Sequence, residues 1–127
     1  MILLTPGNFL AVGVGAALGA VCRWLLGIAF NQETWPWGTL LANCIGGLLI
    51  GLLIGLFALH TQTPLWVRLF LVTGFLGGLT TFSTFSAETL QFILKGQWLW
   101  AGAYMGISLG VTLLLTACGM WFVQLFR

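Results

Sequence analysis

Tyr104, Ser108, Thr112 and Thr116 recur at every fourth position of an otherwise apolar run. At about 100° per residue they form one slowly drifting stripe on a helix. Each carries a hydroxyl and none carries a charge. A lone Ser or Thr in such a run bonds its own i−4 carbonyl and does nothing else. Four hydroxyls on one stripe can instead present a track of O–H dipoles to an ion. Asn43, the one strongly polar residue of another apolar run, adds an amide donor. Neutral donors solvate an anion without trapping it, and conduction needs weak binding at several successive sites. The chemistry in view is ion passage rather than bond making. One His and two Glu do not assemble a nucleophile, a base and an orienting group, so no enzyme is expected.

A second constellation is "GGLTTFSTFSAE", residues 77–88. Gly77-Gly78 followed by Thr80-Thr81 can interrupt a helix, because glycine is permissive and β-branched hydroxyls compete with the backbone ladder. A break at membrane depth frees carbonyls, which protein, water or an ion must satisfy. Free carbonyl oxygens are hard ligands suited to a small hard cation such as Na⁺. Two chains meeting at their breaks would surround one such ion as a structural element. Phe82 and Phe85, at i and i+3, share a face of the resumed helix. Ring edges are positive, so edges turned toward a pathway favour a bare anion. The neighbouring Ser83, Thr84 and Ser86 speak against a dry core at this point.

These groups need elements to hold them in a membrane. The chain has 127 residues, 60% hydrophobic and 5% charged, with a mean hydropathy of +1.09. A soluble domain carries about a quarter charged residues. Turn signals divide the sequence into four apolar runs, about 8–30, 37–59, 65–94 and 98–126. Each reaches the ~20 residues that a helix needs to cross a bilayer. Strands would require alternating polarity and a closed barrel, and that pattern is absent. The expected class is therefore an all-α integral membrane protein, one four-span domain over residues 1–127, with its third helix broken near the middle. Thr63 and Pro64 are expected to start the third span, and Lys95-Gly96 to end it. The opening "MILLTPGNFL" lacks a basic n-region, so the first run is expected to be a permanent span. Trp35, Trp37, Trp66, Trp98, Trp100 and Trp121 cluster toward span ends, as an interfacial belt would.

Charge says little about orientation. Arg68 and Arg127 fall on one side, Lys95 and the nearby Arg23 on the other. The positive-inside rule needs a clear excess, so balanced charge favours insertion both ways. Glycines at 15 and 19, at 47, 51 and 55, and at 102, 106 and 110 prepare close helix contacts. One short chain has little room to enclose a polar pathway, so an oligomer is expected, and an antiparallel dimer fits the charge balance. The net charge of +2 forms no basic patch, so nucleic acid is not an expected partner. Cys22, Cys44 and Cys118 lie in apolar runs without metal-ligand spacing and read as small packers.

The segment at 77–88, together with "GAALGAVCRW" at 15–24, "WGTLLANCIGG" at 37–47 and Tyr104 with its stripe, resembles the Fluc (CrcB) family of small bacterial fluoride channels. The likeness covers the whole chain. It implies a passive fluoride channel of the bacterial inner membrane, inserted in both topologies as an antiparallel homodimer that exports fluoride and relieves its toxicity. It implies a central structural Na⁺ held by the backbone carbonyls of Gly77 and Thr80. It places Asn43, Phe82, Phe85, Ser83, Thr84, Tyr104, Ser108, Thr112 and Thr116 on the fluoride pathway, and Arg23 and Glu88 near its vestibules. The alternative is a small four-span proton-coupled multidrug exporter, which needs a carboxylate in its first span. That span has Arg23 and no acid.

Overall fold

The computed structural model describes residues 3–127. Thr5 opens helix α1, Pro6–Phe30, with its hydroxyl oxygen accepting from the Asn8 amide at 3.2 Å, and Pro6 occupies the first turn, where a missing N–H costs nothing. Asn31 ends α1. Its Oδ1 also accepts from the Gly38 and Thr39 amides at 2.7 and 3.1 Å, so it caps the start of α2, Trp37–Leu59. One side chain thus turns the chain from the first span into the second.

The third span, Leu65–Leu94, is built from four pieces. A short α3, Leu65–Arg68, runs into a π-helical segment, Leu69–Leu76, and then a single turn of α4, Gly77–Leu79. The chain extends at Thr80, with φ −86° and ψ 155°, and helix resumes in α5, Ser83–Leu94. Gly96, with φ 74°, takes the left-handed conformation that stops α5. The last span is α6, Trp98–Gln124. Among the described residues four helices are long and apolar enough to cross a bilayer, and the third is interrupted, which is the expected fold class.

The details differ from expectation in several places. Gly77 and Gly78 remain helical, and the break falls just after them at Thr80-Thr81. Gly78 serves close approach instead: a methyl there would sit 2.9 Å from the Ala20 amide nitrogen of α1. Thr63 does not cap the third span, because its hydroxyl donates back to the His60 carbonyl at 2.7 Å. Trp35 is not an exposed span-end ring. It is buried among Phe92, Trp100 and Tyr104, with its ring 5.2 Å from Tyr104 edge-on.

Glycine decides which helices touch. Gly15 and Gly19 of α1 lie against the backbone of the π segment around Phe70 and Phe75. Gly47, Gly51 and Gly55 of α2 receive Thr112, Thr116 and Val123 of α6. Removing Cβ lets backbones approach where lipid gives no hydrophobic drive between helices. Gly102, Gly106 and Gly110 meet nothing within 4 Å, so these three make no close contact inside the chain.

Candidate functional site

A cleft of about 520 Å³ lies where α2, α6 and the broken third span converge. Asn43, Gly46 and Gly47 line it from α2, and Ser108, Thr112 and Thr116 from α6. Gly77, Thr80, Thr81, Phe82 and Phe85 supply the third wall. Its lining holds amide, hydroxyl, backbone and ring groups and no charged side chain. The sequence spaced these residues over three helices, and helix packing brings them to one surface. Ser83, Thr84, Tyr104, Arg23 and Glu88 are not among the lining residues.

The polar groups of the cleft are unequally committed. Thr116 donates to the Gly47 carbonyl and to its own i−4 carbonyl, Thr112, both at 2.9 Å. The Thr112 hydroxyl lies 3.8 Å from the Cys44 sulfur. Ser108 is 8% exposed, and its hydroxyl has no hydrogen-bond partner among the described residues. A buried hydroxyl left unpaired costs roughly 1–3 kcal/mol, so its placement asks for a ligand or water. The Phe82 and Phe85 rings lie 5.9 Å apart. Phe82 is 81% exposed, so nothing in this chain covers it.

Side chains from α1 and α2 hold the break. Asn43 grips Thr81 with both ends of its amide, accepting from the Thr81 N–H at 2.7 Å and donating to the Thr81 carbonyl at 3.1 Å. The second hydrogen on Nδ2 is left for the cleft. Arg23 Nε donates to the Gly78 carbonyl at 3.0 Å. A cation there also faces the negative end of the helix that stops at Leu79. The Thr84 amide donates to the Thr81 hydroxyl oxygen at 3.1 Å. In an unbroken helix the amides of Thr81 and Thr84 would bond the carbonyls of Gly77 and Thr80. Both amides are engaged elsewhere.

Beside Phe85, the ring of Tyr104 lies 5.1 Å away and is fully buried. Its hydroxyl donates to Glu88 Oε1 at 3.1 Å, and Thr39 donates to Oε2 at the same distance. Each carboxylate oxygen therefore has a fixed donor. Sequence reasoning overlooked Thr39, which lies 49 residues from Glu88, and the reach of Arg23 to Gly78 across 55 residues. The one signal for either was a lone polar side chain within an apolar run.

Comparison with known proteins gives the chain's relatives. A family model described as CrcB-like protein, Camphor Resistance (CrcB), matches residues 10–120. The chain is 62% identical over 118 residues to a fluoride-specific ion channel FluC of Bordetella avium (strain 197N), covering 93% of this chain and 94% of the relative. It is 54% identical over 125 residues to the protein of that name from Bordetella bronchiseptica (strain ATCC BAA-588 / NCTC 13252 / RB50), covering 98% of each. The Cupriavidus necator (strain ATCC 17699 / DSM 428 / KCTC 22496 / NCIMB 10442 / H16 / Stanier 337) protein of that name is 49% identical over 122 residues, covering 94% of this chain and 97% of the relative.

Proposed function

The chain belongs to the CrcB-like family, and on that premise we propose that it is a passive, fluoride-selective channel that carries fluoride out of the bacterial cytoplasm. It is a multi-pass membrane protein, and helical spans place it in the inner membrane. The observation that carries the reading is the uncharged polar cleft at membrane depth, with an unpartnered Ser108 hydroxyl and a spare Asn43 N–H.

Fluoride is small and tightly hydrated, so it enters lipid depth only where donors replace its water. Ser108 and Thr112 of α6 and Asn43 of α2 supply such donors, and the ring edges of Phe82 and Phe85 add weak positive potential. A larger halide gains less from this and needs more room. Hydrogen fluoride crosses membranes as a neutral acid and ionises in a more alkaline cytoplasm. An inside-negative potential then drives the anion outward with about 2.3 kcal/mol per 100 mV. No proton-carrying carboxylate is required. The drug-exporter alternative is not supported: the curated relatives are fluoride channels, and the first span's one charge is an arginine bonded to Gly78.

The channel works as an antiparallel homodimer. The exposed Phe82 ring and the open side of the cleft support this, because the pathway is incomplete in one chain. Balanced loop charge supports insertion in both orientations. A structural sodium ion fits at the break, where the Gly77 and Thr80 carbonyls have lost their helical donors to Asn43 and Thr81. Hard oxygens of two chains would hold the ion there, which supplies positive charge without chemistry.

Current recorded across a planar bilayer under a fluoride gradient tests the function. We expect a fluoride current at constant pH on both sides. Fluoride movement that is electrically silent, or that stops without a proton gradient, contradicts a passive channel.

A further inference from the structure

We propose that Thr81 is the positioning residue for the cation site: it keeps both ligand carbonyls free by removing the two amides that would otherwise cap them. The proposal rests on the sodium reading above and deepens it. An interrupted helix does not by itself leave the right oxygens available. Of the carbonyls around this break, that of Gly78 is taken by Arg23 and that of Thr81 by Asn43. The Leu79 carbonyl also loses its helical donor, but those of Gly77 and Thr80 are the two whose donors are held by another acceptor, and both diversions pass through Thr81.

The first diversion uses the Thr81 backbone. Its N–H is the regular partner of the Gly77 carbonyl, and it points instead to Asn43 Oδ1 at 2.7 Å. The second uses its side chain. The Thr84 N–H is the regular partner of the Thr80 carbonyl, and the Thr81 hydroxyl oxygen accepts it at 3.1 Å. The hydroxyl also lies 3.4 Å from that of Ser83. Thr81 thereby caps the first turn of α5 from outside the helix, and this cap favours the extended Thr80 over a continuous helix. Thr80 itself has its hydroxyl turned back to the Leu76 carbonyl at 2.8 Å, so its side chain does not compete for the site. Its methyl lies close to where a Gly46 Cβ would stand, which leaves α2 little freedom to shift against the break.

Replacing the hydroxyl removes the competing acceptor. The Thr84 amide then returns to the Thr80 carbonyl, and sodium must displace a hydrogen bond in each chain before it binds. One such bond corresponds to roughly a fivefold change in an equilibrium, so two symmetric copies give on the order of twentyfold.

The test is the thermal unfolding midpoint of the purified full-length protein, read against NaCl concentration with ionic strength held by N-methylglucamine chloride. We expect Thr81→Val and Thr81→Ala to raise the sodium concentration at which the midpoint begins to climb by on the order of twentyfold. Thr81→Ser, which keeps the acceptor, should retain the native value. A purely structural role for Thr81 would lower the midpoint equally at every sodium concentration and leave the onset of sodium stabilisation in place; that result overturns the proposal. Should Thr81→Val fail to fold, the smaller Thr81→Ala carries the same comparison. A native protein whose midpoint ignores sodium overturns the cation site itself, a failure separate from that of Thr81.

Discussion

Gly51→Ala is a sensitive probe of how the cleft is held together. A methyl at Gly51 would stand 2.9 Å from the Thr116 carbonyl carbon and 3.0 Å from its Cα. The Thr116 carbonyl oxygen lies closer still, and comfortable contacts lie near 3.5–4.0 Å, so α2 and α6 must part by more than about 1 Å. The obstacle is backbone, which cannot rotate away. Overpacking of this kind costs about 1–3 kcal/mol. Separation also stretches the 2.9 Å bond from Thr116 to the Gly47 carbonyl toward its limit, losing up to ~0.5–1.5 kcal/mol. Alanine returns about 1 kcal/mol through its higher helix propensity. The balance is roughly 0.5–3.5 kcal/mol of destabilisation. Gly102→Ala is the matched control, because nothing within 4 Å meets a methyl there. Thermal unfolding of both variants beside the native protein reads the difference, and fluoride release from liposomes reads the widened cleft. A Gly51→Ala protein no less stable than Gly102→Ala refutes the close-contact argument.

Two further outcomes follow from the cleft. Ser108→Ala removes a buried hydroxyl that has no partner in the chain, so unfolding should show stability unchanged or raised by up to ~1–3 kcal/mol while fluoride flux falls; lost stability with intact flux would mean the hydroxyl is structural. Phe82→Ile and Phe85→Ile should each sharply lower fluoride flux while the dimer remains intact by size-exclusion chromatography, and unchanged flux would retire the ring-edge argument.

Much of the architecture is legible in residue type and period. Apolar run length marks the four spans, and the every-fourth-residue hydroxyls put Ser108, Thr112 and Thr116 on one wall of the cleft. Three features were hidden for physical reasons. The π segment "LFLVTGFL" has the composition of any apolar helix, and its backbone packs against Gly15 and Gly19 of α1, far away in sequence. Hydrogen bonds from Arg23 to Gly78 and from Thr39 to Glu88 cross between helices, so no local pattern encodes them. The small-residue rule marks Gly102, Gly106 and Gly110 as contact-forming, yet spacing alone cannot say whether a neighbour faces them. Trp35 shows the same gap between type and place: tryptophan near a span end usually meets headgroups, but the turn capped by Asn31 folds this one inward.

The central claim is that neutral dipoles and ring edges line the route that selects and passes fluoride. The most direct measurement compares fluoride and chloride release from liposomes holding the purified protein, with valinomycin and potassium balancing charge and no pH gradient imposed. The account predicts rapid fluoride release and nearly none of chloride; equal release of both halides, or release of neither, would contradict it.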